Sequence, residues 1–183
     1  MTNKQFWNQL LLFVISLLVI LFTREYFSHW LIENKNQSYQ THTFLSIGAN
    51  LLLILLSYYF IKRNKLTKIA GIIGTKFKKW YLLIFPLVYL VVLNAVIMDD
   101  VNMDILLPNI LVLIIYSTSI GFAEELSIRG FLQSHLIKRY GKTKRNIIFS
   151  VFVSALFFGL IHLINFDKGI YGELSQICFA TFI

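Results

Sequence analysis

Residues 105–137 read ILLPNILVLIIYSTSIGFAEELSIRGFLQSHLI, and this stretch decides the fold class. Residues 105–123 carry no charge and are long enough to cross a bilayer as a helix, which takes about 20 apolar residues. Glu124, Glu125 and Arg129 then interrupt a run that is still rich in Leu, Ile and Phe. The stretch therefore predicts a transmembrane helix with ionisable groups near its end or inside it.

The rest of the chain has the same character. Of its 183 residues, 57% are hydrophobic and 14% are charged, whereas about 25% charge is usual in soluble domains. We predict an all-α, polytopic transmembrane helix bundle of about five complete spans plus the start of a sixth. The spans are expected at about 6–23, 43–61, 80–98, 105–123 (running on to about 137) and 147–166, with the sixth beginning near 173.

The basic residues are distributed as topology signals. Residues 62–79 and 138–145 contain bases and no acid, whereas 98–104 contains acids and no base. Because Lys and Arg are retained on the cytoplasmic side, this alternation predicts a cytoplasmic N-terminus and argues against nucleic-acid binding despite the net charge of +8. The Lys-, Asn- and Ile-rich composition indicates a bacterial cell membrane.

Two interpretations compete for the end of the fourth span. Either the helix leaves the membrane at Ala123 and both glutamates are solvated, or it continues to about Ile137 and they lie inside. Glu125 precedes the basic cluster that starts at Lys138 by about thirteen residues, or roughly 20 Å along a helix. Basic residues mark the cytoplasmic interface better than acidic ones, so the immersed interpretation is favoured.

The fifth span supplies an independent argument. His162 lies about fifteen residues beyond Ile147, where this span enters the membrane, which is roughly 22 Å. Two antiparallel helices that share the basic loop would bring Glu124, Glu125 and His162 to a similar depth. His162 could equally be a core histidine that is hydrogen-bonded to a neighbouring helix.

The residue types suggest different roles for the two carboxylates. Glu125 and Arg129 are four residues apart in the favourable order for an ion pair, and burial would make that pairing necessary. Glu124 is then the freer carboxylate, and beside a histidine it is a candidate general base for activating water. His135 is expected near the cytoplasmic interface and outside the site.

Glu124-Glu125-x-x-x-Arg129 and Phe158-x-x-x-His162 resemble the first two motifs of the CAAX protease and bacteriocin-processing (CPBP, or Abi) family. This family of intramembrane endopeptidases includes the type II prenyl-protein endopeptidases. The resemblance covers residues 105–183, expected to form the N-terminal part of the peptidase core. Residues 1–104 are predicted to form generic transmembrane helices.

The resemblance implies a role for each matched residue. Glu124 would activate the attacking water with the help of His162, Glu125 and Arg129 would hold the helix, and Phe158 would pack the site. A zinc ion is also discussed for such enzymes, and Glu124 and His162 would be its candidate ligands. Zinc sites usually take three or four protein ligands, so we expect no tightly held metal here.

The family's third motif, a histidine followed four positions later by Asn or Asp, has no counterpart after His162. Asn165 does not replace it at the family spacing. Residues 174–183 are too few to span a bilayer, so the sequence indicates a chain cut inside a helix and catalytically incomplete as written.

Three functions therefore remain at this point. The first is an intramembrane endopeptidase that acts on a peptide or lipidated protein at the membrane. The second is a non-catalytic immunity or regulatory membrane protein that binds a peptide or partner. The third is a proton-coupled transporter, which ranks last because no matching pair of interrupted helices is found in the sequence.

Overall fold

The computed structural model describes residues 2–34, 39–73, 81, 84 and 103–164. In these ranges every long element is helical and none is a β-strand, which confirms the all-α fold class. The elements are α1 (Asn3–Glu33), α2 (Tyr39–Arg63), α3 (Met103–Glu124), a π-helical segment (Glu125–Gln133), α4 (Ser134–Tyr140), α5 (Lys144–Ile161) and a 3-10 turn (His162–Ile164).

Three of these helices are long and apolar enough to cross a membrane: Asn3–Glu33, Gln40–Arg63 and Lys144–Ile161. They contain or overlap the predicted spans at 6–23, 43–61 and 147–166, while the span at 105–123 lies within α3. The predicted third span and the start of the sixth fall outside the described residues.

Helix α1 is longer than the apolar run that predicted it. It begins with a reciprocal cap in which the Gln5 amide donates to Thr2 Oγ1 (3.3 Å) and the Thr2 amide donates to Gln5 Oε1 (3.1 Å). It continues to Glu33, about ten residues past the predicted end of the first span. Hydropathy marks the part of a helix that suits lipid, whereas polar residues after it can continue the same helix.

The central packing joins α1, α2 and the π-helical segment through three buried aromatic rings. Phe131 lies 4.2 Å from Phe13 and 5.3 Å from Phe60 between ring centroids, and Phe13 and Phe60 are 5.5 Å apart. All three are almost fully buried. Such ring pairs add to the free energy of burial, and here they fix the π-helical segment against two spans.

Small and polar residues bring α2 close to α3 and the π-helical segment. Asn50 donates to Ser119 Oγ at 3.0 Å, and the hydroxyls of Ser57 and Ser127 are 2.8 Å apart. A Cβ atom on Gly130 would lie 2.9 Å from the side chain of Ile61. Small residues and interhelical hydrogen bonds are the usual means by which membrane helices approach closely.

The chain segments that the predicted topology places on one side of the membrane meet at one end of the bundle. Lys138 donates to the carbonyl of Asn64 at 2.6 Å, and Arg139 donates to the side chain of Asn3. The N-terminus and the starts of both basic ranges therefore meet at the same end of the bundle. This arrangement agrees with the prediction that these segments lie on the same side of the membrane.

Candidate active site

The junction between α3 and the π-helical segment lies between the two adjacent glutamates. Glu124 is the last residue of α3, and Glu125 is the first residue of the nine-residue segment. π-Helical turns, with hydrogen bonds from residue i to i+5, are rare and occur frequently at functional sites. Ser134 lies five residues after Arg129, and its side-chain hydroxyl donates to the backbone carbonyl of Arg129 at 3.0 Å. Hydrophobic periodicity gave no indication of this segment.

A cavity of about 210 Å³ lies between α1, α2, α3 and the end of α5. Three of the five residues singled out from the sequence line it: Glu124, Phe158 and His162. The remaining lining residues are Leu17, Leu21, Arg24, Asn50, Leu53, Tyr116, Ile120, Ala123, Ser127, Ile128 and Ile161. The expectation that Glu124 and His162 lie at a similar depth therefore agrees with the geometry.

The ring of His162 is held at the end of α5 by its own helix. Nδ1 lies 2.9 Å from the carbonyl oxygen of Phe158, and the two rings are perpendicular with centroids 4.7 Å apart. A carbonyl oxygen only accepts, so Nδ1 carries a hydrogen, and in a neutral ring the lone pair is on Nε2.

Glu125 and Arg129 form the predicted ion pair, with Arg129 Nη1 donating to Glu125 Oε2 at 2.9 Å. Neither residue lines the cavity, and their side chains are 57% and 62% exposed. The described helices therefore leave this pair more than half exposed. Successive helical residues do not share a face, so Glu125 points away from the cavity that Glu124 lines.

Arg24 and Asn50 are lining residues that sequence reasoning missed. Arg24 follows the predicted first span directly; it lies in α1 and donates from Nε to Glu25 Oε1 at 3.0 Å. Asn50 is buried in α2. An amide inside the apolar span 43–61 was a signal that could have been used, because polar groups in spans are costly and often functional.

His135 lies outside the cavity, as expected, but it is almost fully buried. Its ring stacks on Phe6 with a centroid distance of 4.5 Å, and Phe131 lies on it at 5.0 Å. Nε2 is 3.3 Å from the Phe6 carbonyl oxygen. His135 therefore attaches α4 to the start of α1, at the end of the bundle that carries the basic ranges.

The donor set for a metal ion is small. Within residues 2–34, 39–73 and 103–164, no group of three or more His, Cys, Asp or Glu side chains could hold one. Glu124 and His162 supply two candidate ligands, whereas zinc sites usually take at least three from the protein.

Part of the chain matches a known protein family. Residues 106–183 match the model described as Type II CAAX prenyl endopeptidase Rce1-like. This range contains both glutamates, Arg129, Phe158 and His162, and it coincides with the segment in which the sequence resembles the CPBP family. Neither the curated proteins nor the solved structures give a match to the chain.

Proposed function

We propose, from the match of residues 106–183 to the Rce1-like family model, that this protein is an intramembrane endopeptidase. The family is one of membrane-embedded proteases, and long apolar helices are present here. The substrate would be a peptide or lipidated protein at the membrane. We place the site in a bacterial cell membrane, with the N-terminus and both basic ranges in the cytoplasm.

One observation carries the proposal. Glu124 and His162 belong to different helices and are separated by a loop, yet they line the same cavity. The opposite wall comes from α1 and α2, which lie outside the matched range. A carboxylate and an imidazole that line one cavity can hold a water molecule between them.

In the proposed reaction the Glu124 carboxylate is the general base and His162 orients the attacking water. The Glu124 carboxylate removes a proton from water while His162 Nε2, the free lone pair, accepts a hydrogen bond from the same water. The water oxygen attacks the scissile carbonyl carbon and forms a tetrahedral intermediate. The C–N bond then breaks, and the proton on Glu124 passes to the leaving amine, which restores the carboxylate.

The other family positions support this arrangement from outside the cavity or beside it. The Glu125–Arg129 pair spans one turn at the start of the π-helical segment and holds the backbone next to Glu124. The carbonyl and ring of Phe158 orient His162. Neither Glu125 nor Arg129 reaches the reacting atoms in this mechanism.

A non-catalytic immunity or regulatory protein is the second candidate. Such a protein would use the same cavity to bind a peptide or a partner without cleaving it. The two candidates differ in whether the protonation chemistry of Glu124 is needed.

The test is peptide cleavage by the purified protein in lipid vesicles, with Glu124→Gln and Glu125→Gln as a matched pair. Each substitution removes one charge from the same helix and keeps the side-chain shape. General-base loss should lower the rate by about 100-fold or more for Glu124→Gln, and far less for Glu125→Gln. Both variants are checked for insertion and helicity. Normal cleavage by Glu124→Gln would contradict the assignment and favour the binding protein.

A further inference from the structure

Arg24 is the residue of the cavity wall that the proposed mechanism does not use. It belongs to α1, far from the family-matched range, and lines the same cavity as Glu124 and His162. Its side chain is only 21% exposed. A guanidinium so placed beside an apolar span has a desolvation cost, and intramembrane ionisable residues are functional candidates for that reason.

The hydrogen bonds of Arg24 leave part of the guanidinium available. Nε and Nη2 both donate to one oxygen of Glu25, its neighbour in the chain. A guanidinium has five N–H donors, so both hydrogens on Nη1 and one on Nη2 remain. Among the described residues, the ion pair of Arg24 is with Glu25 and not with Glu124.

The ionisable side chains of the cavity therefore lie in two separate parts of its wall. Glu124 and His162 line the cavity at the ends of α3 and α5. The guanidinium of Arg24 is contributed by α1 and is held by Glu25. The rest of the lining is apolar except for Tyr116, Asn50 and Ser127, and the last two bond to Ser119 and Ser57.

We propose that Arg24 is a specificity residue that binds a carboxylate of the substrate peptide while the scissile bond lies at Glu124 and His162. This inference rests on the proposed function. Arginine presents parallel N–H groups that match a carboxylate, and the interaction is stronger where water is excluded. The carboxylate can belong to an acidic side chain or to the C-terminus of the peptide, and the two sources share this chemistry.

Binding to the cleavage-deficient Glu124→Gln protein in lipid nanodiscs tests the proposal without requiring turnover. The probes are three forms of one pool of short hydrophobic peptides: free C-terminus without acidic residues, C-terminal amide, and C-terminal amide with one Glu. Hydrogen bonds to a charged group predict that at least one acidic form binds about tenfold more tightly than the plain amide. Whichever acidic form does so identifies the source of the carboxylate.

Variants at Arg24 decide between specific recognition and general charge attraction. Arg24→Gln should abolish the preference, and Arg24→Lys should retain part of it because the charge remains without the planar donor geometry. Arg139→Gln removes an equal charge at the other end of the bundle, where Arg139 contacts Asn3, and should keep the preference. Equal binding of all three peptide forms, or a preference that survives Arg24→Gln, would overturn the proposal.

A second variant keeps the test decisive if Arg24→Gln does not fold. Glu25→Gln removes the carboxylate that competes for the guanidinium, so acidic peptides should bind several-fold more tightly and the plain amide should be unchanged. Unchanged or weaker binding of the acidic peptides would contradict the proposal. Cleavage by the unmodified protein is measured separately, so failure of the endopeptidase assignment is distinguished from failure of carboxylate recognition.

Discussion

Glu124 and Glu125 are neighbours in the chain, with the same charge and the same side chain, yet they lie in different surroundings. Glu124 faces a cavity that it shares with His162, whereas Glu125 faces outward and is paired with Arg129. The helix type changes between them, from α to π. The comparison shows that a residue's role in this site depends on which face of the helix it occupies. Contacts that fix the rotation of the π-helical segment should therefore contribute most to the stability of the site.

The largest effect is expected from the aromatic cluster that anchors this segment. Phe131→Ala removes a fully buried ring between Phe13 and Phe60, which should lower the free energy of unfolding by about 3–5 kcal/mol. Phe149→Ala is the matched control, because Phe149 is 65% exposed in α5. Thermal unfolding in detergent micelles measures both. Equal losses would mean that Phe131 does not hold the segment.

A smaller loss is expected at the contact between the π-helical segment and α2. Gly130→Ala places a Cβ atom 2.9 Å from Ile61 Cδ1, and such overpacking should cost about 1–3 kcal/mol. Gly121→Ala, where nothing lies within 4 Å of the added atom, should be neutral or slightly stabilising. Adding Ile61→Val, which removes Cδ1, should restore part of the stability of Gly130→Ala. A double variant no more stable than Gly130→Ala would show that another contact is responsible.

The smallest effect on stability is expected from the outward-facing ion pair. Arg129→Gln breaks a pair whose side chains are both more than half exposed, so the loss should be about 0.3–0.5 kcal/mol. A thermal shift in low and high salt measures it, and the difference from the unmodified protein should shrink with salt. A loss as large as that of Phe131→Ala would show that the pair is buried in the membrane after all.

Much of the site was accessible from the sequence because its strongest signals are local. The unusual polar residues Glu124 and His162 stand out against apolar runs, and counting residues from the shared basic loop predicts their similar depth. The i, i+4 spacing likewise predicted the Glu125–Arg129 pair, which the structure confirms. Their catalytic roles stay predictions, as do the division of the chain near residue 104 and the side of the membrane on which the N-terminus lies.

The parts that sequence reasoning missed depend on contacts between distant segments. Arg24 joins the cavity only because α1 continues past its apolar run and packs beside α3 and α5. The π-helical segment is stabilised by packing against α1 and α2, which no local pattern encodes. Hydropathy is a sum over neighbours in the chain and is nearly insensitive to how one helix is rotated against another.

By itself, then, the sequence determined the membrane class, the helical fold, the approximate spans and the pairing of Glu124 with His162 as candidates. Only the tertiary structure decided which of two adjacent carboxylates faces the cavity and which residues of α1 and α2 complete its wall. The physical reason is that span formation follows from local transfer of apolar residues into lipid. A cavity follows from the rotation and close packing of several helices, which is set by contacts such as Gly130 with Ile61 and Phe131 with Phe13.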